Sequence, residues 1–221
     1  NSISTFYKVP DAYKKNRKML NRGLSEAIFA NKVLLVEGPS EYMLFSKVLS
    51  VVHPFYEVDG IYILPVDGIG FKMYFSILDE LGIFNVLKTD NDLRAVAGKD
   101  TYSVLGFLRC NKFIGKKCLP TNRIQENSVS AKRSLYNSNV KILDKIRSDF
   151  HIFLSKVDLE NDLDEFLHDR LSALLDNDNP VKYLQDAKHY HMVELIEKLS
   201  DTDCKTIYSH YNFACLKEVA E

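Results

Sequence analysis

Residues 33–41 read Val33-Leu34-Leu35-Val36-Glu37-Gly38-Pro39-Ser40-Glu41. The first four are apolar on both faces of an extended chain, and such a run suits a parallel strand covered by helices on both sides. It stops at Glu37-Gly38-Pro39-Ser40, and residues 40–52 follow as a mostly apolar helix. Upstream, 12–31 predicts a helix with an apolar stripe at Tyr13, Met19, Leu20, Leu24, Ala27 and Ile28. Downstream, Ile61-Tyr62-Ile63-Leu64-Pro65-Val66 is a second strand candidate, in which Pro65 argues against an interior place in the sheet. A helix over 71–81, a strand over 85–89, a strand over 151–154 and an amphipathic helix over 159–175 complete an alternating pattern. That alternation predicts an α/β fold with a parallel sheet. The interval 93–150 breaks the rhythm, and after Pro180 two helices are expected, near 181–199 and 203–219.

With 221 residues, 46% hydrophobic and 27% charged, the chain has the length and apolar content for a real core and is not a disordered polymer. No apolar run approaches the ~20 residues that cross a bilayer, and no basic-then-apolar leader opens the sequence. It is therefore expected to be cytoplasmic, without a membrane partner. The first residue, Asn1, suggests a piece of a longer protein. Four cysteines (Cys110, Cys118, Cys204, Cys215) without CxxC spacing argue against a disulfide scaffold and a structural zinc site.

The net charge of −1 hides an asymmetry. Residues 8–22 carry six Lys/Arg and one Asp; 94–147 carry twelve Lys/Arg and three Asp/Glu; 158–186 carry nine Asp/Glu and two Lys/Arg. Any one block is equally a solvated helix face. Together they suit a polyanion gripped on its backbone while metal-binding carboxylates face it. Within the basic interval, Lys112, Lys116, Lys117, Arg123, Lys132 and Arg133 are the candidate nucleic-acid contacts. Tyr102, Phe107, Phe113 and Tyr136 lie among them and serve either base stacking or packing of the insert itself.

Three of the strands end in acids: Glu37 with Glu41, Asp90 with Asp92, and Asp158 with Glu160. Ligand sites of open parallel sheets gather at the carboxyl ends of the strands, so these residues can meet. Six carboxylates repel one another in low dielectric, and hard divalent cations, Mg²⁺ or Mn²⁺, relieve that repulsion. Two ions ~3.5–4 Å apart suit displacement at a phosphodiester. Individually the same acids have plainer uses: a strand-end Asp caps a helix or forms a turn, and Glu41 or Glu160 complements a first helical turn. Glu37 is harder to dismiss, because it closes an apolar strand and precedes a glycine.

Glu37-Gly38 closing the first strand and Asp90-x-Asp92 closing a later one resemble the Toprim signature. The longer strings Phe29-Ala30-Asn31-Lys32-Val33-Leu34-Leu35-Val36-Glu37-Gly38-Pro39-Ser40-Glu41, Lys88-Thr89-Asp90-Asn91-Asp92-Leu93 and Leu154-Ser155-Lys156-Val157-Asp158-Leu159-Glu160-Asn161-Asp162-Leu163 resemble the Toprim part of OLD-family (overcoming lysogenization defect) endonucleases. The resemblance implies a Toprim-type parallel sheet flanked by helices, with a basic insert and a helical C-terminal extension. On that reading 1–31 is a helical lead-in, 32–92 with 148–178 the catalytic core, 93–147 the insert and 179–221 a C-terminal subdomain.

The resemblance also implies a cofactor of two divalent metal ions, Mg or Mn, on Glu37, Glu41, Asp90, Asp92, Asp158 and Glu160. One arrangement puts Glu37, Asp90 and Asp92 on one ion and Glu41, Asp158 and Glu160 on the other. Glu37, Asp158 and Lys188 are the implied catalytic residues. Lys188 falls on or beside the stripe Leu184, Ala187, Met192, Leu195, Ile196, Leu199, where a lysine either snorkels outward or meets an anion. The family's ATPase domain precedes its Toprim domain, and no GxxxxGK[ST] occurs here. The implied partners are DNA, an ATPase domain of the same full-length chain, and a second copy or an accessory defence protein. The implied role is DNA cleavage in defence against phage.

Two alternatives stand beside this reading. A strand-passage or primer-synthesis Toprim enzyme is one, although no tyrosine has a recognisable nucleophile setting. A degenerate Toprim module that binds nucleic acid or nucleotide without cutting is the other. Gly68-Ile69-Gly70-Phe71-Lys72 reads as a strand-to-helix turn, the alternative being a backbone approach to phosphate, and His189-x-His191 lacks the i,i+4 spacing of a helical metal site.

Overall fold

The computed structural model describes residues 22–66 and 71–221, apart from the side chains of Arg22 and Lys188. The expected helix over 12–31 is described from residue 22 onward, where α1 spans Arg22–Ala27. Its residues 12–21, the Gly68-Ile69-Gly70 turn and most of the basic block 8–22 lie outside the described residues.

Four parallel strands form the central sheet in the order β2-β1-β3-β6: β1 Lys32–Val36, β2 Ile61–Pro65, β3 Phe84–Thr89 and β6 Ile152–Leu154. In β1, Val33, Leu34, Leu35 and Val36 are fully buried, because alternate side chains enter different layers. Leu34 and Val36 join one apolar cluster and Val33 and Leu35 another. Each such side chain contributes about 1.5–3 kcal/mol on burial. Pro65 pairs with Val36 at the end of edge strand β2, where a missing N–H is tolerated.

One layer holds α2 (Pro39–Val52), α7 (Leu159–Leu175) and the C-terminal helices α8 (Pro180–Asp186), α9 (Lys188–Lys198), α10 (Asp201–Ser209) and α11 (Cys215–Ala220). The other holds α1, α3 (Phe71–Glu80), α4 (Leu105–Ile114), α5 (Val129–Ser138) and α6 (Val140–Phe150). The basic insert is therefore integral to the core: Phe107, Cys110, Tyr136, Leu143 and Ile146 pack with β1 and β6. Phe107 and Tyr136 have no exposed surface, so they are packing aromatics and cannot stack on bases.

Three local features depart from the sequence reading. Strands β4 (Leu93–Ala95) and β5 (Tyr102–Val104) form a short antiparallel hairpin within the interval where the strand–helix rhythm breaks. The helix expected over 181–199 breaks at Ala187 (φ −140°, ψ 61°), and the one over 203–219 is interrupted by a 3₁₀ turn at Tyr211–Phe213. Across the first break the Tyr183 ring stacks on His191 at 3.7 Å and its carbonyl meets His191 Nδ1 at 2.5 Å. No helix among the described residues is long and apolar enough to cross a membrane.

Candidate active site

The carboxyl ends of β1 and β3 lie side by side, and Glu37 joins them. Its Oε1 accepts from Thr89 Oγ1 at 2.6 Å, from the Asp90 backbone N–H at 3.1 Å and from Arg109 Nη1 at 2.6 Å. Arg109 also reaches Asp92 Oδ2 through Nη2 at 2.8 Å, so one guanidinium spans two of the expected metal ligands. Its planar fork suits two carboxylates at once.

Buried Asn91 ties the loop after β3 to the loop after β6. Its amide nitrogen donates to the carbonyls of Lys132 and Lys156 at 3.1 and 3.0 Å, and its backbone N–H to Val157 O at 3.1 Å. Ser155 Oγ donates to Asp90 Oδ1 at 3.0 Å across the same junction. These bonds bring the acids of β1, β3 and β6 together from positions more than 100 residues apart.

Glu37, Glu41, Asp90 and Glu160 line one cleft of about 160 Å³, with His189 at its wall. Glu41 and Glu160 are buried. Burial, followed by the negative charges of Glu37, Glu41 and Asp158, pushes the Asp90 carboxyl well above its ordinary range, against a smaller opposing pull from Lys88. Hard oxygen donors gathered in this way fit a divalent cation.

The other two expected ligands are otherwise engaged. Asp92 is held by Arg109. Asp158 caps α7: its Oδ1 accepts from the Asn161 backbone and amide at 2.9 and 2.8 Å, and its Oδ2 from Gln185 Nε2 at 3.2 Å. Among the described residues, no three His, Cys, Asp or Glu side chains close into a ready-made coordination shell. The division into Glu37/Asp90/Asp92 and Glu41/Asp158/Glu160 is thus not the grouping of the cleft, whose lining takes two acids from the first set and two from the second.

The backbone of Lys188 begins α9 immediately after the break at Ala187, beside His189. The side chain of Lys188 lies outside the described residues. The expected stripe does not run through this point: Leu184, Met192, Leu195 and Leu199 are buried, whereas Ala187 is exposed.

The candidate nucleic-acid residues separate into two regions. Lys132 lines a second cleft that includes Asp158, and Arg133 is part-buried on the same helix. Exposed Lys112, Lys116 and Lys117 lie at the far end of α4. Lys116 Nζ sits 5.4 Å from the centre of the Phe150 ring, which precedes β6 and so marks the amino end of the strands, opposite the end that carries the acids. Arg123 is exposed on the loop between α4 and α5.

Arg109 and Asn91 are the positioning residues that the sequence reading passed over. Their partners lie 17 to 72 residues away, and nothing local to either marks the contact.

Residues 28–92 match the family model for the overcoming lysogenization defect protein-like Toprim domain. The chain is 40% identical to Endonuclease GajA of Bacillus cereus (strain VD045) across 98% of its own length, and it spans 39% of that relative. The fold matches the C-terminal region of the Burkholderia pseudomallei OLD protein, with a TM-score of 0.50 at 16% identity, covering 86% of this chain and 95% of that one. The four-strand parallel sheet and its two helical layers thus match the fold of an OLD C-terminal region, and residues 28–92 within it carry the match to the OLD-like Toprim domain.

Proposed function

We propose that the chain is the nuclease region of a metal-dependent DNA endonuclease that hydrolyses phosphodiester bonds. The observation that carries this reading is the meeting of Glu37, Glu41, Asp90 and Glu160 in one cleft, within a chain 40% identical to an endonuclease. These acids would hold two Mg²⁺ or Mn²⁺ ions, with Asp92 and Asp158 at the margin. Bound there, the ions would supply an activated water and neutralise charge on the attacking and leaving oxygens.

The chain's own residues prepare the cleft. Thr89, the Asp90 N–H and Arg109 fix Glu37 through Oε1, which leaves Oε2 as the ligand oxygen. Ser155 orients Asp90. Asp158, anchored at the start of α7, joins Glu37 as the second catalytic acid, and Lys188 at the start of α9 stabilises charge developing on the phosphate. Residues 32–92 and 148–178 form the catalytic core in this proposal, with 1–31 as lead-in, 93–147 as DNA-gripping insert and 179–221 as the subdomain that carries the lysine. In the longer protein an ATPase domain would precede this region and control cutting, in a cytoplasmic defence against phage, alone as a homodimer or with an accessory protein.

A plasmid-nicking assay tests the reading. Supercoiled DNA should be nicked or linearised with Mg²⁺ or Mn²⁺ and left intact with EDTA, and Asp90→Ala should abolish conversion. Conversion that persists in EDTA, or that leaves a tyrosine–DNA adduct, would overturn it.

A second reading, a Toprim module that binds nucleic acid without cutting, is supported by the engagement of Asp92 with Arg109 and of Asp158 as a helix cap. Tight DNA binding without conversion in the same assay would select it.

A further inference from the structure

A second cleft, of about 210 Å³, is lined by Val157, Asp158 and Asn161, which flank in sequence the Leu159 and Glu160 of the carboxylate cleft. Its walls combine two chemistries. Val129, Val157 and Val181 supply apolar faces, and Asn127, Gln185 and Lys132 supply polar groups.

Ser128, Asp158 and Asn161, which also line it, are engaged in helix caps, whereas the other polar groups are largely uncommitted. Gln185 spends its amide nitrogen on Asp158 Oδ2 and keeps Oε1 as an acceptor. Among the described residues, neither the Asn127 amide nor the Lys132 ammonium has a hydrogen-bond or ion-pair partner. The volume falls below the ~300 Å³ at which pockets for drug-sized ligands begin, so it suits one flat ring system and not a whole nucleotide. Apolar faces around a ring with amides at its edge are how proteins read a single base. A lysine beside them suits the attached phosphate.

We propose that this cleft receives one unstacked base of the DNA strand, next to the phosphodiester that lies at Glu37 and Asp90. The inference rests on the nuclease reading for the strand's placement and adds to it a base preference at one position. The base enters with its Hoogsteen edge toward the amides: there adenine offers Gln185 Oε1 its exocyclic amino group and meets a free carboxamide such as Asn127 with both a donor and an acceptor, whereas thymine offers only O4 and a methyl group. Adenine is therefore the preferred base and thymine, which has no amino group, the least favoured. Lys132 holds the adjacent phosphate whatever the base.

Binding of single-stranded dA12, dC12, dT12 and a fully abasic 12-mer, measured by fluorescence anisotropy with Ca²⁺ as the divalent ion, tests the proposal on the 221-residue chain. The abasic strand should bind about tenfold more weakly than dA12, as the loss of one base contact predicts, and dT12 about threefold more weakly. Asn127→Ala should bring dA12 and dT12 to within about twofold of each other. Lys132→Ala should weaken all strands alike and keep their order. Equal binding of dA12 and the abasic strand, or an unchanged ranking in Asn127→Ala, overturns the cleft as a base site, as does the absence of binding to any strand.

A parallel plasmid-nicking reaction in Mn²⁺ separates this from the nuclease reading. Nicking without base ranking removes the cleft alone. Base ranking without nicking removes the nuclease and leaves the cleft standing.

Discussion

Lys88 Nζ lies 3.4 Å from Asp162 Oδ2 in the interior of the protein, and both residues are almost wholly buried. The pair braces the candidate site from behind. Lys88 precedes Thr89 and Asp90 on β3 and also donates to Asn212 O at 3.2 Å. Asp162 accepts the backbone N–H groups of Lys156 and Val157, which hold the turn that ends at Asp158. Burial pushes the Asp162 carboxyl up, and Lys88 leads the forces that pull it back. Lys88→Met removes that compensation and leaves a carboxyl in low dielectric, a change that costs about 3–5 kcal/mol for a broken buried pair. Urea denaturation at neutral pH measures it. A loss under ~1 kcal/mol would show that the backbone donors alone satisfy Asp162.

Arg109 is predicted to matter for activity more than for stability. Its side chain is about a quarter exposed and it pairs with Glu37 and Asp92 at the cleft margin. Arg109→Ala should cost no more than ~1 kcal/mol of folding stability, in line with partly solvated ion pairs. Nicking should fall by about tenfold or more, because Glu37 loses a charged partner that orients it. Arg109→Lys should not restore the rate, since a single ammonium cannot span both carboxylates. Nicking at the wild-type rate in Arg109→Ala would separate this arginine from the chemistry.

These two contacts mark the boundary of what the sequence discloses. The run Val33–Val36 announces a strand buried on both faces, and the acids after β1, β3 and β6 announce a site, because strand ends are local signals that topology then brings together. The partners of those acids are not local. Arg109 meets Glu37 across 72 residues and Lys88 meets Asp162 across 74, and no periodicity encodes either meeting. The break at Ala187 escapes for another reason: Leu184, Met192, Leu195 and Leu199 keep an α-helical phase across it, so the apolar spacing is the same for one helix or two. Strands β4 and β5, three residues each with most side chains exposed or half-exposed, carry too little alternation to be seen. The use of Asp158 as a helix cap was one of its legible options, and only the structure shows the capping bonds.

A pH test falls on Asp203, remote from the acids of the cleft. Arg170 holds its carboxyl down at about 2, with help from the Ser200 hydroxyl and backbone N–H, in the capping box that starts α10. A carboxyl lowered in the folded state contributes stability that is present above its unfolded value, near 4. That contribution fades as pH falls through the interval down to about 2. Asp203→Asn should therefore be less stable than wild type at pH 7, and the gap should narrow below pH ~4 and close near pH ~2. Denaturation curves at several pH values measure the gap. A difference independent of pH would assign the effect to the cap's shape and not to its charge.

Gly106 is predicted to be irreplaceable even by alanine. It is the second residue of α4, and its N–H donates to Asp92 O at 3.1 Å, so this end of the helix rests on the loop that carries Asp90 and Asp92. A Cβ at position 106 would sit 2.8 Å from Asp90 O, 2.9 Å from Asn91 Cα and 3.2 Å from Asp92 N. All three are backbone atoms, and Asn91 is itself pinned on both sides, so no flexible side chain can swing aside. Two effects oppose each other in Gly106→Ala. Helix propensity favours alanine by about 1 kcal/mol, while overpacking against fixed backbone costs about 1–3 kcal/mol. Contacts below 3 Å put the cost at the upper end of that range, and the net change is destabilising. The displaced helix also carries Arg109 away from Glu37, so nicking should fall further than the loss of folded protein explains. Urea melts paired with nicking rates, at a temperature where both proteins are fully folded, separate the two effects. A variant as stable and as active as wild type would mean that α4 does not set the position of the Asp90–Asp92 loop.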